Sequence, residues 1–234
     1  MSDNITPLNN HAFGNAVGTS VLERNRVLRN TYVLLALSLL PTVLGAYLGV
    51  TMGFSRLFGG FMGFIFLMVG MFGFIYAIKK TQETSKGVFV LLGFTFFMGL
   101  VLSGIIEHTL RFRNGTALVM TAFGGTAGVF FAMAALATTI KRDLSSMSKW
   151  LFWGVIVLVV ASLINIWVGS TAMMAAISTI SIAIFSAYML YDIKQVIDGG
   201  ETNYISATLS IYLDLINIFQ SLLSLLGIFG GERD

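Results

Sequence analysis

The sequence predicts an all-α membrane protein with seven transmembrane helices, and three observations carry that prediction. Of 234 residues, 56% are hydrophobic and only 11% charged, whereas about a quarter of the residues in a soluble domain are charged. The mean hydropathy is +0.85. Seven apolar stretches are long enough to cross a bilayer, which takes roughly 20 residues at about 1.5 Å of helical rise each. The connections between them are short and leave no room for a second folded domain.

The elements follow in order. Residues 1–29 are polar and basic, without the apolar core of a cleaved signal. They read as a short mobile tail ending in ERNRVLRN. The transmembrane domain then occupies 30–230. Its first helix is expected over about 31–50, kinked at Pro41, with neighbouring helices satisfying the freed carbonyl. Helices two, three and four are expected at about 57–78, 87–106 and 116–140. Gly59 with Gly63, and Gly124 with Gly128, make small-xxx-small faces suited to close packing. Both segments read GGxxGxxFxM, a likeness of packing chemistry rather than a repeat. Helix five, about 150–168, opens on Trp150 and Trp153 and closes on Trp167, where interfacial aromatics belong. Helix six runs over 171–197, and the glycines of DGGETN stop it. Helix seven covers about 205–229.

Charge sets the orientation. With the N-terminus in the cytoplasm, Arg24, Arg26, Arg29, Lys79, Lys80, Lys86, Lys141, Arg142, Lys149 and Lys194 lie inside. Arg56, Arg111, Arg113 and Arg233 lie outside. Ten of the 14 basic residues inside satisfies the positive-inside rule, and seven spans put the C-terminus outside. The net charge of +3 is a matter of topology and does not point to nucleic acid. The absence of cysteine excludes disulfides, thiol catalysis and thiolate metal sites.

One stretch breaks the apolar pattern. Residues 211–219, IYLDLINIF, place Asp214 within the last helix, where insertion costs about 2.5–3.5 kcal/mol. On a helical wheel Ser206, Ser210, Asp214, Asn217, Ser221 and Ser224 fall within an arc of about 80°. Such a stripe faces protein or a water-filled path. Serine and asparagine alone would serve as interhelical glue, on the order of 0.6 kcal/mol per bond. Asp214 asks for more. On helix six Ser178, Ser181, Tyr188 and Asp192 share a face, and an antiparallel hairpin brings Asp192 towards Asp214. Two carboxylates in one low-dielectric site tend to share a proton and titrate as a unit. Deprotonated, they repel each other and offer oxygen ligands to a hard cation such as Ca²⁺. Enzyme motifs are missing: the sequence has no HExxH, no phosphate loop and no GxSxG. His11 and His108 are too far apart to share a site. Of the intramembrane aspartyl protease pattern only Tyr191-Asp192 is present.

The hairpin AYMLYDIKQVIDGGETNYISATLSIYLDLINIFQSLLSLLG, residues 187–227, resembles the signature of the Bax inhibitor-1 (transmembrane Bax inhibitor motif) family. GGETNYI followed by a helix of the SLYxxxxNIFxSLLSxLG type is similar to its bacterial YccA-like branch. The resemblance implies that the last helix is central and surrounded by the other six. It also implies a pH-sensitive calcium leak in the bacterial inner membrane, not an enzyme. Asp192 and Asp214 match the family's paired aspartate sensor and gate, which the permeating Ca²⁺ meets transiently; no cofactor is implied. Lys79 or Lys80 is the counterpart of a basic latch at the end of helix two. Ser224 stands where some relatives carry an arginine paired to helix two, so that bond is missing here. The YccA-like branch implies a second role, modulation of the membrane protease FtsH with the N-terminal tail as handle. Membrane lipids, Ca²⁺, protons and the FtsH complex are thus the partners expected.

Overall fold

The computed structural model describes the backbone at residues 10–54 and 60–232 and the side chains at 22–54, 63 and 65–232. Arg56, Gly59, Arg233, the first nine residues and the side chain of His11 lie outside the described residues. Among the described residues seven helices form: α1 (Asn10–Met52), α2 (Gly60–Thr81), α3 (Lys86–Leu110), α4 (Gly115–Thr139), α5 (Met147–Val168), α6 (Thr171–Asp198) and α7 (Tyr204–Gly230). There is no strand among the described residues. Among the described residues, six helices are long and apolar enough to cross a membrane: α3 to α7 and the Leu22–Met52 part of α1. The remaining helix, α2, has 22 residues, and its opening turn falls partly outside the described side chains.

The first helix departs from expectation. It begins at Asn10 rather than near residue 31 and includes most of the expected tail. Leu, Val, Arg and Glu in SVLERNRVLRN are tolerant or good helix formers. An apolar helix already formed beyond Asn30 also supplies the nucleus from which they propagate. Pro41 lies within α1, as expected.

Of the two glycine motifs, Gly59 lies outside the described residues, and the Gly124–Gly128 face is not where helices approach most closely. Apart from their own helix backbone, Gly124 and Gly128 have no described atom within 4 Å of where a Cβ would stand. The tight seam joins α1 to α3. A Cβ on Gly99 would run into the Thr42 carbonyl oxygen and sit 2.9 Å from the Ala46 nitrogen. A Cβ on Gly45 would strike the Phe96 carbonyl oxygen, and one on Gly49 would lie 2.5 Å from Ser103 Cβ. Gly45-xxx-Gly49 against Gly99-xxx-Ser103 is a small-residue pair that lets two backbones meet.

The last helix packs against α1, α2, α3, α4 and α6. The expected ring of six around it is not what the structure describes, because α5 touches only α6 among the described residues. The reason is the surface of α5, apolar on every side, with only Leu151 and Leu158 buried; lipid can solvate such a helix.

The core of α7 is tied to its neighbours through Tyr212, which is fully buried. Its hydroxyl meets Thr42 Oγ1 of α1 at 2.8 Å and the Thr95 carbonyl of α3 at 3.3 Å. Thr42 Oγ1 also lies 2.8 Å from the Ser38 carbonyl, so the two hydroxyls share their protons between the Ser38 and Thr95 carbonyls and each other. Phe94 packs edge-on to the Tyr212 ring, with centroids 6.2 Å apart.

Both ends of α7 are fastened. At its start Asn203 Oδ1 accepts the Ile205 and Ser206 N–H groups, capping the helix. Asn203 Nδ2 donates to the Gln82 carbonyl at 3.0 Å and to Glu83 Oε1 at 3.2 Å, in the α2–α3 turn. At its end Asn114 Nδ2 donates to the Gly230 carbonyl at 2.6 Å and Asn114 Oδ1 accepts the Glu232 N–H at 3.2 Å. Arg113 N–H donates to the Glu232 carbonyl at 3.0 Å. On α1, Arg24 packs against Gly199 of the α6–α7 turn. The early part of α1 and the last residues of α7 therefore lie at opposite ends of the bundle.

Candidate functional site

The site is built by the α6–α7 hairpin. Ser170 opens α6 by accepting the Met173 N–H on its hydroxyl at 3.2 Å. Gly199 closes it in the left-handed conformation (φ 81°). Its N–H bonds the Val196 carbonyl, and the Gly200 N–H reaches back to the Gln195 carbonyl at 2.8 Å, the pairing of a Schellman stop. Three residues later Asn203 starts α7. The tight return lays the last two turns of α6 along the first three of α7. Asp192 and Asp214 face each other there, close enough to interact directly as a side-chain pair.

Their surroundings differ. Asp214 is only 5% exposed and lies among the buried Ile211, Leu215 and Ile218. Its Oδ2 has no hydrogen-bond partner among the described residues. Asp192 is half-buried and lines a half-open cleft of about 240 Å³ with Tyr191, Gln195, Gly200, Glu201, Ala207 and Ser210. Tyr188, one turn earlier on α6, lies close to both carboxyls. The acid pair thus has one member at water and one behind it in the packed interior.

The other expected site residues divide. Ser210 lines the cleft one turn from Asp214. Ser206 is half-buried in the first turn of α7, and its N–H serves the Asn203 cap. Asn217 turns its amide to the Leu213 carbonyl on its own helix at 2.8 Å. Ser221 is half-buried, and Ser224 Oγ is buried without a partner among the described residues. Lys79 and Lys80 end α2 exposed to solvent, and neither pairs with a carboxylate among the described residues. The basic side chain held in the interior at this end is Lys194, bonded to Asp198 at 2.7 Å. Sequence reasoning missed three participants. Glu201 was read only as part of the DGGETN turn, and Gln195, which donates to the Tyr191 hydroxyl at 2.6 Å, was given no role. Tyr212 carried a signal that could have found it, a polar-tipped ring two residues before a buried acid.

Together these features define a class: a polytopic helical membrane protein with a paired carboxyl site between its last two helices, open to one side. Comparison with known proteins gives the family. The family described as "Inhibitor of apoptosis-promoting Bax1" matches residues 24–231, and the chain belongs to this Bax inhibitor-1 family. It is similar to an uncharacterised membrane protein of Vibrio cholerae, 38% identical over 211 residues, covering 90% of this chain and 93% of the relative. The Modulator of FtsH protease YccA of Escherichia coli K12 is 38% identical over 209 residues, 89% of this chain and 93% of that protein. A relative from another Escherichia coli strain is named Inner membrane protein YccA, with the same identity and coverage.

Proposed function

We propose that the protein is a pH-sensitive calcium leak of the bacterial inner membrane, gated by Asp192 and Asp214. One observation carries the reading: a carboxyl pair bridges α6 and α7 where Asp214 Oδ2 is buried without a partner among the described residues. A carboxylate so placed is costly unless protonated or matched by a cation. With one proton between them, the two carboxyls bond α6 to α7 and the path is shut. Losing it sets like charges face to face, loosens the helix pair and presents oxygens to a hard cation entering from the cleft. Asn217, Ser221 and Ser224 continue the polar stripe along α7 towards the far side. The α6–α7 turn is the cytoplasmic end in this reading, with the N-terminus inside and the C-terminus outside. No bond-making chemistry is assigned to the site.

The test uses purified protein in liposomes with a Ca²⁺ dye inside, measured across pH. Asp214→Asn should remove the pH dependence, because an amide cannot share a titrating proton; an unchanged profile would exclude Asp214 as sensor. A second reading is favoured by the similarity to a protein named as a modulator of FtsH protease. The helix that continues α1 back to Asn10 would be the handle. Co-purification with that protease, with and without residues 1–29, tests it separately.

A further inference from the structure

We propose that the first two turns of α5 form a seat for an anionic phospholipid, with Lys149 on its phosphate and Phe152 and Trp153 against the chains below. A shallow groove of about 300 Å³ runs between Ser148, Lys149, Phe152 and Trp153. At about 30 Å³ per water it takes roughly ten waters, room for a phosphate and the glycerol that carries it. The bundle leaves this groove open. Among the described residues α5 packs on α6 alone, and Lys149, Phe152 and Trp153 are all exposed.

Charge complementarity names the occupant. Lys149 pairs with no carboxylate among the described residues, and Lys141 and Arg142 stand exposed in the turn just before α5. Asp143 is the only acid between Glu107 and Asp192, and it is already engaged. Its Oδ1 accepts the Ser145 N–H and its Oδ2 the Ser145 hydroxyl, both at 2.8 Å. On α6, Asp198 is bonded to Lys194 and Asp192 is paired with Asp214. The ammonium of Lys149 is thus left for an anion from outside the protein. A zwitterionic headgroup would bring its own cation to this basic turn; an anionic one does not. The order along the helix also suits a lipid. Ser148 spends its hydroxyl proton on the Ser145 carbonyl at 2.9 Å, so Lys149 is the side-chain donor at headgroup level. Trp153, four residues on and on the same face, lies about 6 Å further along the axis, where an amphipathic indole meets the ester region. Phe152 stands edge-on to it, with ring centroids 6.1 Å apart, and the two rings wall the groove on its apolar side.

The seat requires no conduction, and tryptophan fluorescence reads it directly. The chain has three tryptophans, and Trp150 and Trp167 are exposed, so Trp150→Phe with Trp167→Phe leaves Trp153 as the sole emitter, inside the groove. The full chain in phosphatidylcholine liposomes is titrated with chain-brominated phosphatidylglycerol or chain-brominated phosphatidylcholine as quencher. Binding beside Trp153 should favour phosphatidylglycerol. Lys149→Gln should lower that preference about five-fold, the share of one basic side chain near a membrane surface. Lys86→Gln removes the same charge from the exposed start of α3 and should leave the preference as it is. Equal quenching by the two lipids, or a preference that survives Lys149→Gln, would overturn the seat. An equal loss in Lys86→Gln would also overturn it, leaving only a general attraction of anionic lipid to the basic end of the bundle. Soluble glycerol 3-phosphate should fail to relieve the quenching; relief would assign the groove to free phosphate and remove the lipid.

Discussion

Replacing Gly99 by alanine tests the α1–α3 seam and its hold on α7. The new methyl would collide with the Thr42 carbonyl oxygen and stand 2.9 Å from the Ala46 nitrogen, where ordinary contact begins at 3.4 Å. Both obstacles are backbone, so no side chain can swing aside; the helices must part by at least the difference, about half an ångström. Overpacking of this kind costs about 1–3 kcal/mol, and alanine returns up to about 1 kcal/mol of helix propensity. The net loss is on the order of 1–2 kcal/mol. Gly124→Ala supplies the control, since no described atom outside its own helix backbone lies within 4 Å of its added methyl. There only the propensity gain remains, so this variant should be neutral or up to about 1 kcal/mol more stable. The assay is reversible unfolding in mixed micelles, with both variants beside the parent. Gly99→Ala also pushes on Thr42, whose hydroxyl holds Tyr212 at 2.8 Å, so the ring should shift in its environment as well as the midpoint. Equal stability of the two variants would refute the claim that α1 and α3 meet backbone to backbone.

Tyr212→Phe removes the hydroxyl shared with Thr42 and Thr95 while Thr42 keeps its bond to Ser38. The expected loss is about 1 kcal/mol, and an unchanged unfolding midpoint would mean the phenol is not bonded. In the α4–α5 turn, the Ser145 N–H and hydroxyl, each 2.8 Å away, hold the Asp143 carboxyl below the usual carboxylate range. Its contribution is therefore present above the unfolded value and disappears as pH falls through the folded one. Ser145→Ala keeps the N–H and should move the Asp143 titration, followed by carboxyl NMR, back towards the ordinary value; no movement would mean that the hydroxyl contributes nothing. A cysteine added after Asp234, in a chain with none of its own, should react with an impermeant maleimide on intact cells. Labelling only after lysis would put both termini on one side.

The helices and the acid pair were legible in the sequence because each rests on local pattern. Apolar runs set most helix bounds, and the wheel put Asp214 on the polar stripe. The length of the DGGETN return set Asp192 opposite it. Partner choice was not legible. Gly45-xxx-Gly49 and Gly124-xxx-Gly128 are the same motif on paper, yet only the first meets another backbone, because which helix lies alongside is a tertiary fact. Lys79 and Lys80 were candidates by position in the chain, but they end α2 facing solvent. The early start of α1 escaped because charged residues were read as tail, although they also suit a helix continued out of an apolar one. Glu201 escaped because a turn residue gains its meaning only when the cleft beside it has walls.

The two fastenings of α7 would restrict how the gate proposed above could move. Asn203 grips the turn entering α3, and Gly230 with Glu232 grips the turn leaving it. The 27-residue helix, about 40 Å long, is thus bolted at both ends to the same strut. A piston stroke of one helical turn, about 5.4 Å, would have to break both bolts at once. Motion left to this hairpin is swivel and sideways yield, with α6 leaning away from a fixed axle. Since α5 packs on α6 alone among the described residues, it would ride outward with it, so the bundle would widen at that flank while its height stays constant. An opening of this kind changes the area the protein occupies in the bilayer, and lateral membrane tension becomes a natural force upon it.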